Sequence, residues 1–437
     1  MNKLIATMSF PAMLSMLIQA LYNIVDSIFV SRISENALAA VTLVFPIQML
    51  MISVGVGTGV GLSSLIARRL GQKRFGDAND SAMHGFMIAI INWIVFALFG
   101  LLGIGPFIRL FSDDPELIWL AVRFGTIVTV GSPFVFMQIN IEKTLQATGN
   151  MLFPMIFNIV GAVTNIILNP ILIFGMFGAP ALGIAGSATA TVISQFLAMS
   201  LALFMFFGFK HAVKPNFREF RPKRRIFSDI YSVGLPSIVM QAIMSFTISG
   251  MNAILMQFTS TAVAVLGVYF RIQSLIFMPV FGLNQGVLPI IGYNFGARNK
   301  ARLLECYKKA CFVAVTIMLI GMTAFQLFPL QILHIFNASP DMLHIGSRAL
   351  KIISICFVPA GFAIVSTTLF QALGHGVLSM LLSLMRQLLL ILPFCYLLAR
   401  FWGVDYVWFC YPMAEIFTVA LLCFYVRRVY RKEIKNL

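Results

Sequence analysis

The sequence predicts an all-α polytopic membrane protein with about twelve transmembrane helices in two parallel-repeat six-helix lobes. Three observations carry this. Of the 437 residues, 59% are hydrophobic and 11% charged, whereas a soluble domain is about a quarter charged. Apolar runs of roughly 20 or more residues recur between short polar breaks, and the alternating segments of about 10 residues that a β-barrel needs are absent. The chain also repeats itself at a fixed offset.

Span 1 is expected at 4–31, with Pro11 near its start and Asp26 further on; without a small-residue cleavage site it reads as a retained span, not a signal peptide. Span 2 (40–66) contains GVGTGVG at 55–61, which suits close helix packing, and Arg68, Arg69, Lys73 and Arg74 follow it. Spans 3 to 6 are expected at 80–109, 117–147, 150–175 and 184–209. Then comes the one long, polar, proline-bearing connection, 210–227, with Lys210, Lys214, Arg218, Arg221, Lys223, Arg224 and Arg225. It separates an N-terminal lobe, 1–209, from a C-terminal lobe, 228–437, whose spans are expected at 228–257, 261–291, 304–333, 342–372, 375–400 and 403–427.

The lobes align with each other. Pro11 matches Pro236, an offset of 225 (236 − 11), and the same offset pairs FPIQ at 45 with FRIQ at 270 and Gly71 with Gly296. It also pairs FSDDP at 111 with FNASP at 336, and QATG at 146 with QALG at 371. Six spans per repeat is an even number, so the two copies have one orientation and are related by an axis along the membrane normal. Two such bundles are the architecture of an alternating-access transporter.

The formal net charge is +16, but the basic residues lie between spans, including Arg298, Lys300, Arg302, Lys308 and Lys309, and at the end, Arg427 to Lys435. The opposite breaks hold Glu35, Asp113, Asp114, Glu116, Asp341 and Asp405. This is a positive-inside pattern with both termini cytoplasmic and an attraction to membrane lipid, not nucleic acid. The six cysteines show no CxxC pair and read as small apolar packing residues. No phosphate-cradling loop with a Lys, HExxH or nucleophile elbow is present, so the chain is not expected to be an enzyme and needs no cofactor; with no ATP site, it would draw on an ion gradient.

Polar residues inside the spans are the candidate functional residues. Asp26 sits in LYNIVDSIFV with Tyr22 and Asn23, about six residues, roughly 9 Å, from Arg32 at the end of span 1. An ionised carboxylate there costs at least about 2.5–3.5 kcal/mol, so it should be protonated, paired or facing water. In span 5, Asn158, Asn165 and Asn169 are spaced seven and four apart, near one helical face, and Pro170 frees a carbonyl one turn earlier. Ser187, Thr189 and Thr191 enter from span 6 at similar depth. Oxygen ligands with one negative charge suit Na⁺ or H⁺ better than Zn²⁺ or Ca²⁺. The repeat counterpart of Asp26 is Met251, so the lobes are chemically unequal. Glu142 lies just before QATG, and the adjoining Lys143 is expected to point elsewhere on the helix. Arg386 and Glu415, in adjacent spans at comparable depth, are expected to pair, while Arg271 lies deep in span 8. The many Met and Phe residues suit packing against lipid, and a few suit a cavity for flat, lipophilic cations.

LYNIVDSIFV, GVYFRIQSLIFMPVFGLNQGVLPIIGYNFGAR at 267–298, and RQLLLILPF with VWFCYPMAEI between 386 and 416 resemble the MATE (multidrug and toxic compound extrusion) family, in its bacterial MepA-type branch. The resemblance implies two six-helix lobes around a V-shaped cavity in a bacterial cytoplasmic (inner) membrane. It implies export of small lipophilic cationic drugs by a monomer against inward flow of H⁺ or Na⁺. Carried onto this sequence, the family's cation site falls on Asp26, Asn165, Asn169 and Thr191, and its span 1 proline on Pro11. Asn169 is an amide where many relatives have an acid, which leans the coupling ion towards H⁺. Tyr22, Asn23, Glu142, Arg271, Gln273, Asn284, Arg386 and Glu415 are the candidates for substrate cavity and gating. A flippase for a lipid-linked saccharide, from the same superfamily, is the alternative; it would want a basic cavity.

Overall fold

Inside a bilayer every backbone N–H and C=O needs a partner from the chain, so the apolar runs can only be helices. The computed structural model describes residues 1–215, 220–334, 339–435 and 437, and for Ala20, Asn23, Ile24, Ser27, Ile28, Ser31, Glu35 and Ser260 the backbone alone. Among the described residues all regular structure is helical. The first half holds α1 (Asn2–Ser31), α2 (Glu35–Gly71), α3 (Phe75–Arg109), α4 (Pro115–Val130), α5 (Pro133–Ala147), α6 (Leu152–Phe174) and α7 (Ile184–Gly208). The second holds α8 (Arg224–Met256), α9 (Ser260–Gly296), α10 (Lys300–Leu327), α11 (Pro340–Ser354), α12 (Phe357–Leu373), α13 (Gly376–Trp402) and α14 (Val404–Ile434). Nine of these are long and apolar enough to cross a membrane, and eleven spans result when α4–α5 and α11–α12 each count as one bent span. α1, 30 residues long with its side chains partly described, is the further helix that twelve spans require. The bends, 43° and 47°, fall within one residue of the same repeat position.

The duplication extends to the helix ends. Ser34 caps α2 by accepting from the Ala37 amide, and Thr259, 225 residues later, caps α9 through Thr261. Asp114 and Ser339 cap α4 and α11 with a proline next in both. Each cap satisfies an amide that would otherwise be stranded at a helix start. Lys73 and Arg298 share the left-handed backbone, as do Gly149 and Gly374. Phe336, Asn337 and Ala338 of FNASP, Arg218, and the side chain of Asn23 lie outside the described residues.

By compactness the chain divides into Leu14–Ile238 and Met1–Met13 with Val239–Leu437. The division falls inside α1 and α8, two residues past Pro11 and Pro236, and not in the basic connection 210–227. Each proline removes a ladder hydrogen bond near where the helix passes from one unit to the other. The start of α1 thus belongs with the second half. Gly282 and Gly286 of α9 admit it: a Cβ at Gly282 would lie 2.6 Å from the Met13 Cα, and one at Gly286 2.7 Å from the Ser9 Oγ. Ser9 donates to the Leu283 carbonyl at 3.4 Å. In the other unit α2 offers Gly57 and Gly61, again 225 residues earlier, to the start of α8. There a Cβ would lie 2.7 Å from the Ile238 amide and 2.1 Å from the Ile230 carbonyl. The GVGTGVG stretch is therefore a backbone-on-backbone crossing, as small residues permit in membranes. Gly61→Ala and Gly286→Ala are each expected to destabilise by about 1–3 kcal/mol through overpacking, read as a lower Tm in detergent. Gly105→Ala, with open space around it, should leave Tm unchanged.

The basic connection is docked onto α3. His84, fully buried, points Nδ1 at the Asp80 carbonyl (2.7 Å) and accepts the Lys223 amide at Nε2 (2.7 Å), so its proton is on Nδ1. The rings of Phe220 and Phe227 meet it edge-on, each at 5.0 Å. Lys223 also pairs with Asp80, whose carboxylate raises the lysine pKa above its ordinary value, and the Lys214 amide donates to Asn79 at 2.8 Å. His84→Leu removes two hydrogen bonds worth about 1 kcal/mol each. Tryptic cleavage within 210–225 should then become several-fold faster while the bundle survives.

Candidate functional site

The α6–α7 hairpin brings the span residues together. The amides of Leu182 and Gly183 donate to the carbonyls of Leu172 (2.9 Å) and Ile173 (3.2 Å), which satisfies the end of α6 and fixes the turn. Gly186 then lets α7 close on α6, because a Cβ there would lie 2.3 Å from the Leu172 carbonyl. Asn165 and Asn169, one turn apart, face Ser187 and Thr191, also one turn apart; all four are buried. Asp26 of α1, half-buried, meets this pair of helices.

A chain of hydrogen bonds results. Asn169 donates through Nδ2 to Asp26 Oδ1 (2.7 Å) and to Asn165 Oδ1 (2.8 Å). Asn165 donates to Thr191 Oγ1 (3.2 Å), and Tyr22 is hydrogen-bonded to Thr191. Ser187 Oγ donates weakly to the same Asp26 oxygen, at 3.4 Å. Two features remain open among the described residues. Asp26 Oδ2 accepts nothing, and Asn169 Oδ1 is buried with no donor. The hydroxyl on the carboxylate is thus that of Ser187, while Thr191 touches Asn165. One helical turn separates the two, so sequence spacing alone does not choose between them.

Glu142 belongs to a second cluster. Its oxygens accept from Gln146 (2.9 Å) and Asn158 (3.2 Å), Asn158 accepts from Gln138 (2.7 Å), and Lys143 Nζ stands 3.3 Å from Glu142 Oε1. The expectation that Lys143 points elsewhere is corrected. Buried away from water, its long side chain folds back onto the neighbouring carboxylate and onto Gln146 (2.9 Å), in room left by Gly59. Asn158, on the face of Asn165 in the sequence, is engaged here instead.

In the other unit Arg386 Nη1 is 3.2 Å from Glu415 Oε2, the pairing expected from span depth. Arg386 lies in a π-helical stretch, Met385–Ile391, which the sequence did not signal. Glu415 is 4% exposed and its Oε1 has no partner among the described residues. Next to Arg386 in sequence, Gln387 accepts from Thr247 (3.3 Å), the repeat counterpart of Tyr22, while Met251, counterpart of Asp26, receives the Tyr411 hydroxyl at Sδ (3.1 Å). Arg271 is exposed on α9. Gln273 is half-buried, and Asn284 buries an Oδ1 that has no partner among the described residues. Among the described residues no three His, Cys, Asp or Glu side chains cluster as a metal site would need.

A duplicated helical bundle with one carboxylate held among amides in one half defines a polytopic membrane protein of transporter architecture. The chain belongs to the MatE family, whose model matches residues 11–171 and 236–397, two copies that start 225 residues apart. The multidrug export protein MepA of Staphylococcus aureus (strain MSSA476) is 25% identical over 93% of this chain and 89% of its own. Among solved structures, a multidrug resistance MATE family transporter of the MOP superfamily in an outward-facing conformation matches with a TM-score of 0.92 and 28% identity, covering 100% of this chain and 97% of the other. A MOP superfamily transporter from Pyrococcus furiosus Vc1 (DSM3638), described as having a binding pocket of reverse polarity that suggests a different function, matches with a TM-score of 0.90 and 28% identity, covering 98% and 95%.

Proposed function

We propose that the protein is a multidrug efflux antiporter of a bacterial inner membrane, with both termini cytoplasmic, which exports organic cations in exchange for H⁺. The relatives named as multidrug exporters support the export. One observation supports the coupling: Asp26 has a hydrogen-bonded oxygen and an open one, with no basic side chain paired to it among the described residues. Asn169, Ser187 and the relay behind them stabilise the charged carboxylate by donating to Oδ1. A proton on Oδ2 cancels the charge. Taking up that charge costs at least about 2.5–3.5 kcal/mol in hydrocarbon, roughly a hundredfold in an equilibrium between two conformations that solvate Asp26 differently. One carboxylate with amide neighbours favours H⁺ over Na⁺, since Na⁺ would need further charge or oxygen ligands. Export by a flippase of lipid-linked saccharide needs several cations free to hold diphosphate; of the two candidate in-span arginines, Arg386 is committed to Glu415, which leaves Arg271. The test is accumulation of a fluorescent organic cation in inside-out vesicles energised separately by H⁺ and Na⁺ gradients. Accumulation with Na⁺ alone overturns the choice of ion, and none with either overturns the function.

A further inference from the structure

The second unit has a cavity of about 150 Å³ where α10, α12 and α14 meet. Leu303, Leu369, Val426 and Ile434 line it with Tyr307 and Tyr430, and Arg427 is the one charged residue of the lining. Apolar cavities of this size stay dry and take apolar groups, and in a bilayer the apolar group at hand is an acyl chain. The rim adds charge of one sign. Arg427, Arg428, Arg431 and Lys432 are exposed and form no ion pair among the described residues. The acids nearby are occupied: Glu433 meets His375 at 2.8 Å and Glu305 meets Lys309 at 2.5 Å. Lys300 reaches across the end of α14, 5.7 Å from the Tyr430 ring centroid and bonded to the Lys435 carbonyl at 3.0 Å.

We propose that this notch is a binding site for one anionic glycerophospholipid of the surrounding bilayer, with part of one acyl chain in the Leu303–Leu369–Val426–Ile434 cavity and the phosphate on Arg427. A basic pocket between helix ends at a membrane surface is suited to such a headgroup. Diffuse attraction to the basic surface would treat Arg427 and Arg428 alike; the cavity lies beside Arg427 only. The site does not depend on the coupling mechanism at Asp26.

The test is native mass spectrometry of the delipidated full-length protein, exposed to equimolar phosphatidylglycerol and phosphatidylcholine with identical acyl chains. The wild type should retain one phosphatidylglycerol with about fivefold selectivity, the effect of one basic residue at an anionic surface. Arg427→Gln should bring the two lipids to near parity, and Arg428→Gln should keep the selectivity. Val426→Phe, which fills the cavity, should lower retention of both lipids. Equal retention by the wild type, an equal effect of Arg428→Gln, or undiminished retention by Val426→Phe would each overturn the site.

Discussion

Asp26→Asn should reduce ion-driven accumulation of an organic cation to the level of protein-free vesicles while leaving the Tm nearly unchanged. The carboxamide is isosteric, and its oxygen still accepts from Asn169 and Ser187, so the packing of α1 against α6 and α7 has no reason to change. What disappears is the ability to exchange charge for no charge. Substrate binding from the exporting side should persist, because Asp26 is proposed to take the coupling ion and not the drug. A wild-type rate in this variant would show that the proton travels elsewhere. Asn169→Asp sharpens the same argument from the other side. It places a second carboxylate 2.7 Å from Asp26, where like charges cannot both ionise in a low-dielectric site. At neutral pH that pair should hold a proton or recruit Na⁺, so transport should gain sensitivity to a Na⁺ gradient. No change in ion dependence would mean that the charge at position 169 plays no part in ion selection.

Much of this was legible in the sequence because the membrane makes polar residues conspicuous. Asp26 and the Asn165–Asn169 pair stand out against apolar neighbours, and a spacing of four on a helix means one face. The 225-residue repeat was legible for a similar reason: prolines, glycines and caps serve backbone geometry that both halves must reproduce. Other features depend on tertiary choices that spacing does not encode. GVGTGVG announces a close helix crossing but not its partner, so the passage of α1 and α8 between units at Pro11 and Pro236 could not be read. Ser187 and Thr191 share a face, and only the depth of α1 decides which meets the carboxylate. Lys143 looks averted on a helical wheel, yet four methylenes bend back when no water is available. The π-helical turn at Met385–Ile391 shifts the register on which Arg386 and Gln387 are presented, and no residue type marks it.

Removing one member of the Arg386–Glu415 pair should have unequal effects, and the inequality identifies the role of the pair. Glu415→Leu leaves a half-buried guanidinium that cannot shed its proton, so a loss of about 1–3 kcal/mol in stability is expected, seen as a lowered Tm. Arg386→Met leaves Glu415 buried, but a carboxyl can take up a proton and become neutral, so the loss should be smaller. The double change Arg386→Met with Glu415→Leu replaces both ions by apolar groups and should recover most of the stability. Transport by the double variant then separates two roles. If the pair only ties α13 to α14, the stable double variant exports at the wild-type rate. If Arg386 holds Glu415 until a cationic substrate takes its place, the double variant folds but loses cation export.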